Sequence, residues 1–289
     1  MQTVGIVGLG LMGSALAARL MRGGNAVVGF DINCTAQEAL IDCGGKAVGS
    51  AAELFGAAEV VLLSLPDASV VADVLDAAGD KLKRGMLVID TTTGDPWQVE
   101  AIGARLADRG VGYLDATVAG SSAQVLEGNV IVMAGGSIDA FRQAEPLLAR
   151  FARGVFHVGD CGSGSRMKLV VNLVLGLNRA ALAEGLSLAG GFGLDPQVSL
   201  DVLRGSAAYS TAMDTKGAKM LAEDFSPQAR LSQHLKDVRL ILAAGERTGT
   251  RLPLSFLHRT LLERVEAAGH GELDNSAILL AYRDPPNPA

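Results

Sequence analysis

At 289 residues and 49% hydrophobic content, the chain can bury one large core or two of ordinary size. A formal charge of −6 and a pI near 5.3 argue against a non-specific nucleic-acid binder. Three cysteines (Cys34, Cys43 and Cys161) lack metal-ligand spacing and read as reduced thiols of a cytoplasmic protein, with no metal site expected.

No basic leader precedes the first apolar run, so no signal peptide is expected. Up to about residue 162, short β-branched runs at 4–7, 26–30, 60–65, 87–89, 111–114, 130–134 and 155–158 have the length of buried strands. Helical periodicity fills most of the gaps, as at 11–22, 69–78 and 97–109. Such alternation predicts an α/β fold, a doubly wound parallel sheet.

After Gly164 the strand signal stops. Residues 168–188 read as one long helix, apolar nearly all round and therefore expected to be buried on several sides. The apolar run 169–194 has the length of a membrane span, but Asn172, Asn178, Arg179 and Glu184 are costly in hydrocarbon, so no membrane contact is expected. Asp195 and Pro196 open the next helix, and 198–203, 212–221, 231–247, 254–267 and 275–282 complete an all-helical region. The expected layout is a Rossmann-type domain over 1–162, a connecting helix over 163–192 and a helical domain over 193–289, with the proline-rich tail 285–288 disordered.

Gly8-Leu9-Gly10-Leu11-Met12-Gly13 follows the first strand and opens the first helix. One glycine permits a tight turn, the next lets backbone approach a pyrophosphate, and the third allows close helix–strand packing. The helix N-terminus favours the negative charge. Asp31 ends the second strand, 18 residues after Gly13. A carboxylate there accepts from ribose hydroxyls and repels a 2′-phosphate, and Ile32 supplies no cation, so NAD is expected over NADP. Leu65-Pro66 and the segment ending at Thr93 each follow a strand, where ligands of open α/β sheets bind. Ordinary capping before Pro96 is the alternative role for the threonines.

Asp115-Ala116-Thr117-Val118-Ala119-Gly120-Ser121-Ser122 also follows a strand. Gly120, Ser121 and Ser122 offer backbone N–H groups and hydroxyls to a substrate carboxylate, or form a plain serine loop. Lys168 and Asn172, at i and i+4 after Gly162 and Gly164, share one helix face and put an amine beside a carboxamide. An ammonium on so apolar a helix either reaches solvent or works. The working reading makes Lys168 the proton carrier at a reacting oxygen and has Asn172 orient the substrate or the lysine. Lys236-Asp237 reads as a solvated charge pair or as a lysine reaching a cofactor, and His234 beside it reads as structural.

These motifs, in this order, resemble the β-hydroxyacid dehydrogenase family, which includes 3-hydroxyisobutyrate dehydrogenases and tartronate semialdehyde reductases. The likeness runs from Gly5 to Ala277 and is greatest toward the tartronate semialdehyde reductase branch, at 225–237 and 252–254. It implies an oxidoreductase that interconverts a small 3-hydroxy acid and its semialdehyde, and a helical domain that forms homodimers or homotetramers. It also implies that Lys168 is the acid and base, that Asn172 contacts substrate, and that Thr93 and Lys236 touch the cofactor. The family's substrate loop usually reads Asp-Ala-Pro-Val-Ser-Gly-Gly; here Thr117, Ala119 and Ser121 replace the proline, the serine and a glycine. Ala119 cannot donate a side-chain hydrogen bond, so the carboxylate grip must pass elsewhere.

Three rivals share the fold. A 6-phosphogluconate-dehydrogenase-like decarboxylase would carry histidine and glutamate where Val171 and Leu175 stand. Imine reductases usually lack the lysine, and so do nucleotide-binding modules without turnover.

Overall fold

The computed structural model describes residues 3–282, and the proline-rich tail 285–288 lies outside the described residues. Two compact units meet in sequence after Lys168. The first holds strands β1 (Thr3–Val7), β2 (Ala26–Phe30), β3 (Lys46–Ala47), β4 (Val60–Leu63), β5 (Leu87–Asp90), β6 (Gly112–Ala119), β7 (Val130–Gly136) and β8 (Ala152–Gly159). Its helices are α1 (Leu11–Arg22), α2 (Cys34–Asp42), α3 (Ala51–Ala57), α4 (Ala68–Ala78), α5 (Pro96–Asp108), α6 (Ser122–Glu127) and α7 (Ile138–Leu148). The division falls inside α8 (Ser163–Gly191).

The eight strands form one sheet in the order β3-β2-β1-β4-β5-β6-β7-β8. Both faces of its central strands are buried, which is why they read as unbroken apolar runs. Ile6, Leu62 and Ile89 face Leu16 and Leu20 of α1 and Phe141 of α7. Val7, Val61, Leu63 and Val88 face Leu54, Leu75, Val99 and Leu106 of α3 to α5. The expected all-parallel sheet needs one correction: β7 runs antiparallel to β6, while the other pairs are parallel. A parallel return takes a crossover of roughly a dozen residues or more. Here only α6, six residues long, and short flanks separate the two strands.

The second unit contains the rest of α8, then α9 (Pro196–Gly205), α10 (Thr211–Ala222), α11 (Leu231–Thr248), α12 (Pro253–Val265) and a 3-10 stretch, Asn275–Tyr282. Its core joins Leu182, Leu186, Met220, Leu235, Leu262 and Ile278. It is helical as expected, apart from one isolated bridge between Arg230 and Asp274. The sequence predicts that α8 is buried on several sides, whereas it buries a single stripe through Leu169, Asn172, Arg179 and Ala183. Val170, Val174, Leu175 and Leu188 stand exposed on its other faces.

Asp274, fully buried, ties the end of the second unit to α10 and to the segment before α11. Its carboxylate accepts from Lys216 Nζ at 2.9 Å, the Gln228 amide at 3.0 Å and the Ser276 hydroxyl at 2.8 Å. Burial alone would raise this carboxyl, but these bonds outweigh it and hold it at about 2. Its contribution to stability is therefore complete above the ordinary value of 3.8 and is lost as pH falls through about 2. Asp274→Ala, which strands Lys216, is expected to cost about 3–5 kcal/mol in chemical denaturation at neutral pH. The gap between variant and parent should narrow between pH 4 and pH 2.

Candidate functional site

Strands β1, β4 and β5 end on one row, with Val7 beside Leu63 and Leu63 beside Asp90, while β6 passes the row at Asp115, the partner of Asp90, and runs on to Ala119. Phe30 flanks Val7 on the other side. Asp31, Gly8, Ser64 and Thr91 step off this row together, so the loops singled out in the sequence emerge along one edge of the sheet.

Gly8 has a φ of +91°, and a Cβ there would overlap the Ser64 carbonyl. A Cβ on Gly13 would overlap the Gly8 carbonyl oxygen, so α1 packs against the turn without room for a methyl group. Gly10 has nothing within 4 Å of its Cβ position, which leaves the backbone ahead of α1 open to a ligand. The Asp31 carboxylate accepts from the Leu9 amide at 2.6 Å and the Asn33 amide at 2.8 Å. Gln37 Nε2 holds the Asp31 carbonyl at 2.6 Å. The glycine turn and the carboxylate thus form one unit, and Ile32 beside it is 94% exposed. A cradle without side chains, a helix N-terminus and a fixed carboxylate fit a dinucleotide's pyrophosphate and ribose.

Leu65 and Pro66 follow β4, and the Leu65 amide donates to Thr92 Oγ1 at 3.1 Å. Thr92 in turn donates its amide to Asp90, which also accepts the Tyr113 hydroxyl at 2.7 Å. Burial raises the Asp90 carboxyl and pushes Tyr113 up as well. Thr93 lies half-buried beyond this knot. Helix capping before Pro96, the alternative for the threonines, falls to Asp95, whose side chain accepts from the Trp97 amide.

Lys168 is half-buried, and its Nζ donates to the Val118 carbonyl at 2.6 Å, beside the end of β6. Thr117, which stands at the family's proline position, donates its hydroxyl to the Gly164 carbonyl at 2.9 Å. Asp115 accepts from the Gly162 amide at 3.1 Å and the Ser165 amide at 2.7 Å. Burial raises its carboxyl to about 7. Gly120 follows β6 with a φ of +151°. Ser121 and Gln124 form a capping box, the Ser121 hydroxyl accepting from the Gln124 amide at 3.3 Å. Ser122 opens α6. Cys161, just ahead of α8, is pushed up to about 12 by burial, which disfavours the thiolate.

Within the second unit, Asn172 donates from Nδ2 to Asp237 at 2.9 Å, both side chains buried. Lys236 Nζ lies 3.8 Å from the same carboxylate. A solvated charge pair is therefore ruled out for Asp237. His234 packs on His258, with ring centroids 5.2 Å apart and both imidazoles against Gly176. Burial lowers His258 to about 4. The structure thus gathers Gly8 to Gly13, Asp31, Leu65, Pro66, Thr93, Gly120 to Ser122 and Lys168 in the first unit, and Asn172 and Lys236 in the second. Asp115, Thr117 and Asp237 carry contacts that spacing alone did not assign.

Residues 3–159 match the family described as the NAD binding domain of 6-phosphogluconate dehydrogenase. Residues 162–282 match the NAD-binding domain of NADP-dependent 3-hydroxyisobutyrate dehydrogenase. An L-threonate dehydrogenase of Cupriavidus necator is 33% identical over 97% of this chain and 96% of its own length. A 2-(hydroxymethyl)glutarate dehydrogenase of Eubacterium barkeri is 31% identical over 96% of this chain and 94% of its own. A solved structure of a Mycobacterium tuberculosis 3-hydroxyisobutyrate dehydrogenase with L-serine superposes with a TM-score of 0.90 at 30% identity, covering 98% of this chain and 100% of that one.

Gly13→Val would drive a branched side chain into the Gly8 carbonyl. NADH titration by cofactor fluorescence should show affinity reduced by more than about tenfold, since the backbone approach to pyrophosphate is lost. Parental affinity would show that the turn does not hold the cofactor.

Proposed function

Because the chain belongs to the β-hydroxyacid dehydrogenase family of NAD(P)-dependent oxidoreductases, we propose that it interconverts a small 3-hydroxy acid and its semialdehyde with NAD(H), Lys168 serving as acid and base. The observation that carries this reading is the Lys168 amine on the Val118 carbonyl, at the sheet edge from which the Gly8–Gly13 turn also emerges. The bound nicotinamide supplies the hydride in reduction and accepts it in oxidation. The backbone of Gly8, Leu9, Gly10, Leu11, Met12 and Gly13 would hold the pyrophosphate. Asp31 would hold the ribose and disfavour a 2′-phosphate. Leu65, Pro66, Thr93 and Lys236 would line the remainder of the cofactor.

An ammonium has three donors. Val118 takes one, which aims the others, and Lys168 passes a proton to the aldehyde oxygen in reduction and recovers it in oxidation. Asp237 fixes the amide of Asn172, which orients the substrate. Gly120, Ser121 and Ser122 would receive the carboxylate. In the cap the Ser121 hydroxyl accepts from the Gln124 amide while the Ser121 N–H donates to Gln124 Oε1, so Ser121 would offer its hydroxyl proton beside the Ser122 hydroxyl. The named relatives act on hydroxy acids, and the L-serine of the mycobacterial structure is itself a 3-hydroxy acid; both support this substrate class over imines or 6-phosphogluconate.

Exposed apolar residues on α8 and beyond it (Val174, Leu188, Phe192, Val198 and Val202) favour a homodimer or homotetramer. Light scattering at low protein concentration should return a multiple of 29.7 kDa, and a clean monomer would refute this. Lys168→Ala should lower turnover of short semialdehydes by about a hundredfold or more while NADH binding is retained. A variant that binds NADH normally and turns over at the parental rate would overturn the role of Lys168. NADPH, an imine and 6-phosphogluconate serve as controls in the same assay.

A further inference from the structure

Asp115 and Thr117 sit two apart on β6, so their side chains leave the same face of the strand. Both reach the turn that begins α8. The Asp115 carboxylate uses one oxygen for the Gly162 amide and the other for the Ser165 amide. The Thr117 hydroxyl donates to the Gly164 carbonyl between them. This turn is therefore gripped through donors and an acceptor at once, and all three partners are buried.

Two glycines keep the grip close. A Cβ on Gly135 of β7, the register partner of Asp115, would overlap the Asp115 carboxylate. A Cβ on Gly164 would overlap the Asp115 backbone carbonyl and crowd its carboxylate.

We propose that Asp115 is a positioning residue for Lys168, fixing the first turn of α8 on β6 with Thr117 as a second tie, so that the amine stands at one place on the sheet edge. The inference rests on the assignment of Lys168 as acid and base. Lys168 follows Ser165 by three residues, less than one helical turn, so a displaced turn carries the lysine with it. The Nζ contact to Val118 closes the loop back to the same strand. Four hydrogen bonds thus join residues 115, 117 and 118 to residues 162–168, and each bears on where the amine lies.

Three titratable groups bear on Asp115: Asp90 from β5, Tyr113 from its own strand and Cys161 from the segment before α8. Arg166 of α8 is turned to Glu100 of α5. Burial, with Asp90 adding to it, places the Asp115 proton at about pH 7 against the pull of the two amides. The Ser165 amide should therefore report a titration near neutral pH that disappears in Asp115→Asn.

The test compares the full-length parent with Asp115→Asn and Thr117→Val. Competitive labelling with trace acetic anhydride, read at each lysine by mass spectrometry across pH, reports Lys168 without any substrate. We expect the Lys168 labelling rate to change by at least about threefold in Asp115→Asn and in the same direction, by less, in Thr117→Val, other lysines being constant. In a turnover assay kcat should fall by at least about tenfold in Asp115→Asn with NADH affinity within about twofold of the parent, as a misplaced group requires. Absence of turnover by the parent on every semialdehyde would sink the proposed reaction and leave the labelling result to decide the positioning. Should Asp115→Asn fail to fold, Thr117→Val decides it. Unchanged Lys168 labelling in every folded variant, or a Ser165 amide that still titrates in Asp115→Asn, would overturn the proposal.

Discussion

The hydrogen bond from the Lys168 amine to the Val118 carbonyl, 2.6 Å long, is the contact on which the proposed chemistry depends. An ammonium entering an apolar helix must find an acceptor or remain in water, because burying it bare is costly. Here the acceptor is backbone, supplied by the one strand of the parallel set that continues past the row where its neighbours stop. A carbonyl in a strand cannot move without the strand. The amine is thereby tied to the sheet itself.

The same economy governs the rest of the first unit. Polar side chains near the strand ends, buried except for the half-buried Asp31, direct their hydrogen bonds to neighbouring loops: Asp31 to the glycine turn, Thr92 to the Leu65 amide, Asp90 to Thr92 and Tyr113, and Asp115 to the start of α8. Buried carboxylates are expensive, and their raised proton affinities at Asp90 and Asp115 reflect that cost. In return each loop is fixed by a charge-assisted or fully enclosed bond instead of by packing alone. The second unit repeats the device at Asp237, which holds Asn172.

Much of this was legible in the residues. The glycine turn, the strand ends and α1 follow from local rules: a buried strand, three glycines at fixed offsets and an amphipathic helix. That Lys168 and Asn172 lie on one helix was legible from the helical pattern; that one bonds Val118 and the other Asp237 was not. The direction of β7 was not, because it depends on how few residues lie between two strands that look alike. The grip of Asp115 was hidden for a different reason, since its two amide partners lie 47 and 50 residues away. Asp237 looked like half of a solvated pair because its buried partner is 65 residues distant. Thr117 read only as a departure from a family pattern; its hydroxyl has a partner that no periodicity announces.

The most direct test is a structure of the protein with NADH and a short 3-hydroxy acid bound. The account predicts Lys168 Nζ within hydrogen-bonding reach, about 2.6–3.2 Å, of the substrate's hydroxyl oxygen. A substrate hydroxyl paired with another side chain, and the amine turned elsewhere, would contradict it.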